Sequence, residues 1–155
     1  MTNLRLMIDE EYWSLAPYLD KVSKKVRAQP SKDLGYPRQT PDSVLVGATK
    51  RDGTVLVTRD DNTITRHKYK PCTHGGIIFI QSKGLRESAV AKIFRYFVRS
   101  KETVNSVGHL TYLYRDHAII FTHKEKITVR WFVSNKKCTF GRVAEPLTKN
   151  TPLLL

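Results

Sequence analysis

Asp9, Asp42 and Asp60 are the residues of this chain most open to a chemical reading. Acids are scarce, 14 Asp and Glu against 27 Lys and Arg for a net charge of +13, so their positions are informative. Asp9 closes the apolar run of residues 4–8, and Asp60 falls two residues past the run 54–58, Thr-Val-Leu-Val-Thr. Asp42 stands in the first turn of the helix expected to precede that second run. In an open α/β sheet, ligands gather beyond the carboxyl ends of the strands. A helix running back between parallel strands opens its N-terminus at that same edge, so the three carboxylates are expected at one rim. Gathered carboxylates repel unless a cation sits among them, and hard oxygen donors suit Mg²⁺ or Mn²⁺. Such a metal lowers the pKa of a bound water and stabilises charge developing on phosphorus. The plainer alternative makes Asp42 a helix-start charge and Asp60 a turn residue.

The charge excess points to a polyanionic partner, because a field of this sign concentrates nucleic acid around the chain. The stretch Arg59, Arg66, His67, Lys68, Tyr69, Lys70 mixes cations with an aromatic ring able to stack on an unpaired base. Arg59, Arg66, Lys68, Tyr69 and Lys70 are the expected nucleic-acid contacts; the competing reading is a solvated loop with Tyr69 turned inward. Lys21, Lys24, Lys25 and Arg27 form a second basic cluster that would extend the track. No apolar run approaches the length of a bilayer span, and no basic stretch with an apolar run and cleavage site marks the N-terminus. Cys72 and Cys138 alone make neither a disulfide framework nor a paired-cysteine zinc signature. The five histidines show no ligand spacing, although His117 and His123 could share a face of a hairpin. A cytoplasmic protein without membrane contact is the expectation.

The elements that must position these residues follow from hydrophobic periodicity. Residues 4–8 read as a buried strand and 12–22 as a helix burying Leu15, Leu19 and Val22, with a short strand around Val26. Residues 29–39, with two prolines and a glycine, read as a loop. Thr40 as cap, Pro41 at the first helical position and Asp42 behind it open a helix that buries Val44, Leu45 and Ala48 and stops at Gly53. Strands at 54–58 and 77–80 follow, the latter entered through Gly75 and Gly76, then a helix over 85–101. A hairpin of 118–122 and 126–133 closes the domain. The order argues for an α/β fold with a mostly parallel sheet covered on both faces. The domain is expected over 1–134, with 135–155 as a C-terminal tail without clear period.

These pieces together resemble the short PIN-like nucleases, small stand-alone domains often described as toxin nucleases. The corresponding segments are Leu6-Met7-Ile8-Asp9-Glu10-Glu11, Pro41-Asp42-Ser43, and Thr54-Val55-Leu56-Val57-Thr58 running into Arg59-Asp60-Asp61-Asn62. Gly76-Ile77-Ile78-Phe79-Ile80, the helix from Leu85 and the closing hairpin complete a likeness over roughly residues 3–133. The resemblance implies a three-layer α/β/α sandwich with a C-terminal β-hairpin, metal-dependent cleavage of RNA, and metal ligation by Asp9, Asp42 and Asp60. Where the family has a second acid after Thr-x-Asp, this chain has Asn62; Asp61 is displaced by one residue and is a further candidate ligand. By that analogy the protein would be an Mg²⁺- or Mn²⁺-dependent endoribonuclease, monomeric or homodimeric, with a small antitoxin as partner. The alternative is a non-catalytic nucleic-acid-binding module that keeps the fold.

Overall fold

A computed structural model of the chain describes residues 3–59, 70–81 and 83–148. Strand β1 (Leu4–Ile8) leads through a 3₁₀ segment (Glu10–Leu15) into helix α1 (Ala16–Leu19) and strand β2 (Val26–Pro30). A second 3₁₀ turn (Ser31–Leu34) and helix α2 (Asp42–Asp52) precede β3 (Val55–Thr58). Then come β4 (Ile77–Ile80), α3 (Glu87–Arg99), a third 3₁₀ turn (Glu102–Ser106) and β5 (Leu110–Leu113). Strands β6 (His117–Phe121), β7 (Glu125–Ser134) and β8 (Lys137–Pro146) complete one sheet of order β2-β1-β3-β4-β5-β6-β7-β8. The pairings from β2 to β5 are parallel and those from β5 to β8 antiparallel. The α/β class with a mostly parallel sheet is as the sequence predicts.

The parallel strands read as unbroken apolar runs because both of their faces are covered. Leu6, Ile8, Val55, Val57, Ile78 and Ile80 pack on one side with Leu15 and Leu19 and with Phe94 and Phe97 of α3. Met7, Leu56, Ile77 and Phe79 point the other way, toward Leu45 and Val46 of α2. Phe94 and Phe97 meet edge to face at 5.9 Å and are fully buried, so truncating either to Ala would cost about 3–5 kcal/mol.

Several local expectations change. The helix expected over 12–22 is interrupted: Tyr12 leaves helical geometry (φ −127°) and only Ala16–Leu19 is α-helical, though Leu15, Leu19 and Val22 are buried as expected. In α2, Val44 is exposed and Val46 takes its place inside. The Thr40 hydroxyl donates to the Pro37 carbonyl instead of capping α2, whose N-cap is Pro41. Gly53 ends α2 at φ +67°, a left-handed turn that glycine adopts without strain. Gly75 is required for space, since a Cβ there would collide with the carbonyl oxygens of Thr54 and Thr49.

Strand β5 was not foreseen. Nor was β8, which pairs with β7 along its whole length in the region the sequence sets apart as a tail. The β7–β8 turn places Asn135 and Lys136 at φ +48° and +63°, the two positive angles of a type I′ hairpin turn.

Candidate functional site

The sheet reverses its winding between β1 and β3: the chain passes from β1 outward to β2 and from β3 the other way to β4. A crevice at such a switch point, beyond the strand carboxyl ends, is where doubly wound sheets bind ligands. Asp9 sits there, 8% exposed. Its N–H donates to the Val57 carbonyl of β3 (3.0 Å), which fixes the backbone across the switch point. Its carboxylate is also held: Oδ1 accepts from the Glu10 N–H at 2.7 Å and Oδ2 from the Thr58 hydroxyl at 3.0 Å. Those two bonds orient the carboxylate at the switch point.

The entry to α2 is drawn to this rim. Glu10 Oε1 accepts from the Gln39 N–H at 3.0 Å, and Asp42, exposed, begins α2 three residues on. Asp60 and Asp61 lie outside the described residues, as do Arg66, Lys68 and Tyr69. Arg59 is described: it is exposed, with its guanidinium 5.5 Å from the centre of the Tyr12 ring. Burial pushes the Tyr12 hydroxyl pKa up, and the Arg59 charge opposes that with a smaller effect.

Sequence reasoning missed a second feature on this side of the molecule. The Trp13 indole N–H donates to Ser31 Oγ (2.9 Å), while Lys32 Nζ and the Arg38 guanidinium lie 5.0 and 4.7 Å from the ring centre. Trp13 and Lys32 also line a groove of about 550 Å³ with Pro17 and Pro30. An aromatic ring with cations beside it is a known element of single-strand binding. Nothing in the spacing announces it, because Lys32 and Arg38 come from a different segment.

Among the described residues, the basic residues expected to form one track do not share an edge. Arg59 follows the carboxyl end of β3. Lys70, also exposed, lies two residues before Cys72, whose N–H donates to the Gly108 carbonyl (2.6 Å) ahead of β5, at the amino edge. Lys21, Lys24 and Lys25 also precede a strand start: the Leu4 N–H bonds the Lys25 carbonyl (2.8 Å) where β1 begins. They do not extend a track along the rim.

The histidines divide likewise. His117 and His123 stand at opposite ends of β6, so they do not share a hairpin face. His117 bonds Asp116 through Nδ1 (2.6 Å) and stacks on Tyr114 at 4.5 Å; that hydrogen bond holds the exposed Asp116 carboxyl below its usual pKa. His74 is buried and accepts from the Gly76 N–H at 3.0 Å. Among the described residues, the one group of three metal-capable side chains whose ligand atoms all lie within 4.8 Å of one another is Cys72, His109 and His123. It lies at the amino edge, away from Asp9.

Fold and switch point define a doubly wound α/β protein. In comparisons with known proteins, no family model, curated protein or solved structure matches the chain. Function is therefore argued from the site.

Proposed function

We propose that this protein is a PIN-like, divalent-metal-dependent nuclease that hydrolyses RNA phosphodiester bonds at the rim around Asp9. The observation that carries this reading is the buried Asp9 carboxylate, oriented at the switch point by the Glu10 N–H and the Thr58 hydroxyl. The donor chemistry fits Mg²⁺ or Mn²⁺: the proposed ligands offer carboxylate oxygen, and a net charge of +13 holds a polyanion close. Asp9 and Asp60 would hold the cation, Asp42 would complete the site or orient the attacking water, and Asp61 would assist. A cation bound there would activate water and offset charge on the phosphoryl oxygens. Arg59, the Trp13 ring and the cations beside it would hold the strand; Arg66, Lys68 and Tyr69 are further candidates for contact with RNA, and Lys70 would meet it only where the strand passes the amino edge.

Labelled RNAs incubated with and without Mn²⁺ test this. Cleavage should require the metal and be abolished in Asp9→Asn and Asp60→Ala chains that still fold; undiminished cleavage by Asp9→Asn would overturn the reading. A second reading, a non-catalytic nucleic-acid-binding module, is favoured by Trp13 with two cations near its ring and by Asn62 in place of an acid. In that case RNA binds, Mn²⁺ leaves the melting temperature unchanged and no product forms. A small antitoxin protein as partner, a monomeric or homodimeric state and a cytoplasmic location complete the proposal. Among the described residues no helix is long and apolar enough to cross a membrane.

A further inference from the structure

Three chain segments that are distant in sequence meet at the amino edge of the sheet. Cys72 stands in the loop before β4, His109 immediately before β5, and His123 in the β6–β7 turn, which strand reversal returns to this edge. Cys72 Sγ is 3.7 Å from His109 Nε2 and 3.8 Å from His123 Nδ1. A tetrahedral zinc ion with bonds of about 2.3 Å to sulfur and about 2.0–2.1 Å to nitrogen sets those ligand atoms about 3.6 Å apart. The observed separations match that spacing to within a few tenths of an ångström.

The surroundings agree with the spacing. His109 Nδ1 is 2.8 Å from the Asn105 carbonyl, which only accepts, so Nδ1 carries the proton and Nε2 turns its lone pair toward Cys72. A backbone carbonyl fixing the far nitrogen of a ligand histidine is the usual outer support of a zinc site. Asn105 is fixed in turn: its Nδ2 donates to Glu102 Oε2 (2.7 Å), and Glu102 Oε1 accepts from Arg142 of β8 (2.6 Å). Around His123, the Thr122 hydroxyl accepts from the N–H groups of Lys124 (3.2 Å) and Glu125 (3.0 Å), which sets the turn. Cys72 adopts φ +68°, a left-handed conformation uncommon outside glycine, while its N–H is held by Gly108. Local strain of this kind concentrates at functional sites.

A hydrogen-bonded cluster is the competing explanation. In such a cluster the S–H donates to one imidazole and the sulfur accepts from the other, an arrangement that the Co²⁺ titration below separates from metal binding. A cation accepts lone pairs from all three atoms at once.

We propose that Cys72, His109 and His123 bind one Zn²⁺ ion, with the fourth position taken by water. One thiolate and two imidazoles with no carboxylate select a borderline-soft transition metal over Mg²⁺ or Mn²⁺. Cys72 loses its S–H proton to solvent on binding, and both histidines bind as neutral rings. Cys72 and His123 are exposed and His109 is half-buried, so the fourth position opens to solvent. The ion ties the loop before β4, the start of β5 and the β6–β7 turn together. This inference is independent of the rim around Asp9, which offers a different donor chemistry at the other edge.

The test is a Co²⁺ titration of the full chain after chelation, read by absorption, with zinc content measured after dialysis. Saturation at one Co²⁺ per chain with a thiolate-to-cobalt charge-transfer band, bleached by Zn²⁺ and untouched by excess Mg²⁺, is the expected result. Cys72→Ser should lose the band and His109→Ala should weaken it strongly. Cys138→Ser and Asp9→Asn should keep it, and circular dichroism confirms that each variant folds. Should His109→Ala fail to fold, His123→Asn replaces it. Absence of the band in the native chain, its survival in Cys72→Ser, or its loss in Cys138→Ser overturns the proposal.

Discussion

The Thr58 hydroxyl donates to Asp9 Oδ2 across 3.0 Å, joining the ends of two adjacent parallel strands by a side-chain bond at the rim. Thr58→Val keeps the shape and removes the donor. A hydrogen bond to a charged, buried acceptor contributes about 1.5–3 kcal/mol, so a comparable loss should appear in urea denaturation. If Asp9 holds a metal, Mn²⁺-dependent cleavage should also fall about 10- to 100-fold, as when other groups that orient a ligand are removed. Unchanged stability would show that the bond contributes nothing to the fold.

Tyr12 offers the opposite case. Its hydroxyl is buried with no hydrogen-bond partner among the described residues, so Tyr12→Phe removes a desolvated polar group. Stability should stay level or rise by up to about 1 kcal/mol. Spectrophotometric titration should find Tyr12 ionising above the usual tyrosine range. Because its folded pKa is raised by burial, the associated stability is fully present below about pH 10 and is lost as pH climbs through the folded value. A Tyr12→Phe chain should therefore unfold less readily in alkali than the native one.

At the β7–β8 turn, Lys136 holds φ +63° against the preference of an L-residue. That conformation costs a non-glycine residue roughly 1–2 kcal/mol, and glycine returns part of the gain as extra freedom in the unfolded chain. Lys136→Gly should raise the urea midpoint, with a net stabilisation of about 0.5–1 kcal/mol. A lower midpoint would mean that Lys136 makes a compensating contact.

Arg142 reaches from β8 to the buried Glu102, which also holds the Asn105 side chain. Arg142→Ala leaves that carboxylate without its cation. With the Arg142 side chain about half exposed, the loss should be about 1–2 kcal/mol, below the cost of breaking a fully buried pair. Because Asn105 supports His109, the same variant should weaken Co²⁺ binding more than Lys137→Ala, a change elsewhere on β8, does.

How far the sequence was legible depended on how each residue is buried. Strands β1 and β4 have the bounds that periodicity predicts and β3 is one residue shorter, because two covered faces leave a continuous apolar signal. Asp9 stood out because an acid closing such a run is conspicuous, and its place at the carboxyl edge follows from the parallel sheet. Strand β5 went unread because Leu110–Leu113 mixes Thr111 and Tyr112 into a four-residue run, so it lacks the unbroken apolar signal of β4. Strand β8 went unread because most of its side chains are exposed on both faces, which erases the alternation that marks a half-buried strand. The Cys72 cluster was invisible for another reason: its members are separated by 37 and 51 residues and are brought together by tertiary structure alone. Trp13 with Lys32 and Arg38 is the same kind of assembly on a smaller scale.

Strand β8 has a consequence for how copies of this protein behave in solution. It ends the sheet order, so among the described residues one side of a ten-residue backbone has no neighbouring strand. Phe132, Val133, Phe140 and Val143 of the β7–β8 ribbon are exposed as well. A long open edge with apolar side chains is a template for pairing with another chain, and cationic side chains are a common guard. Here the guard is Lys136, Lys137 and Arg142 within a molecule of net charge +13. That protection is electrostatic, and it weakens as the screening length shortens from about 8 Å at physiological salt to about 3 Å at 1 M. Colloidal stability should thus fall with ionic strength, with sedimentation showing larger species at high salt and fewer of them in Val143→Lys. Salt-independent sedimentation would mean that the edge is guarded by shape alone.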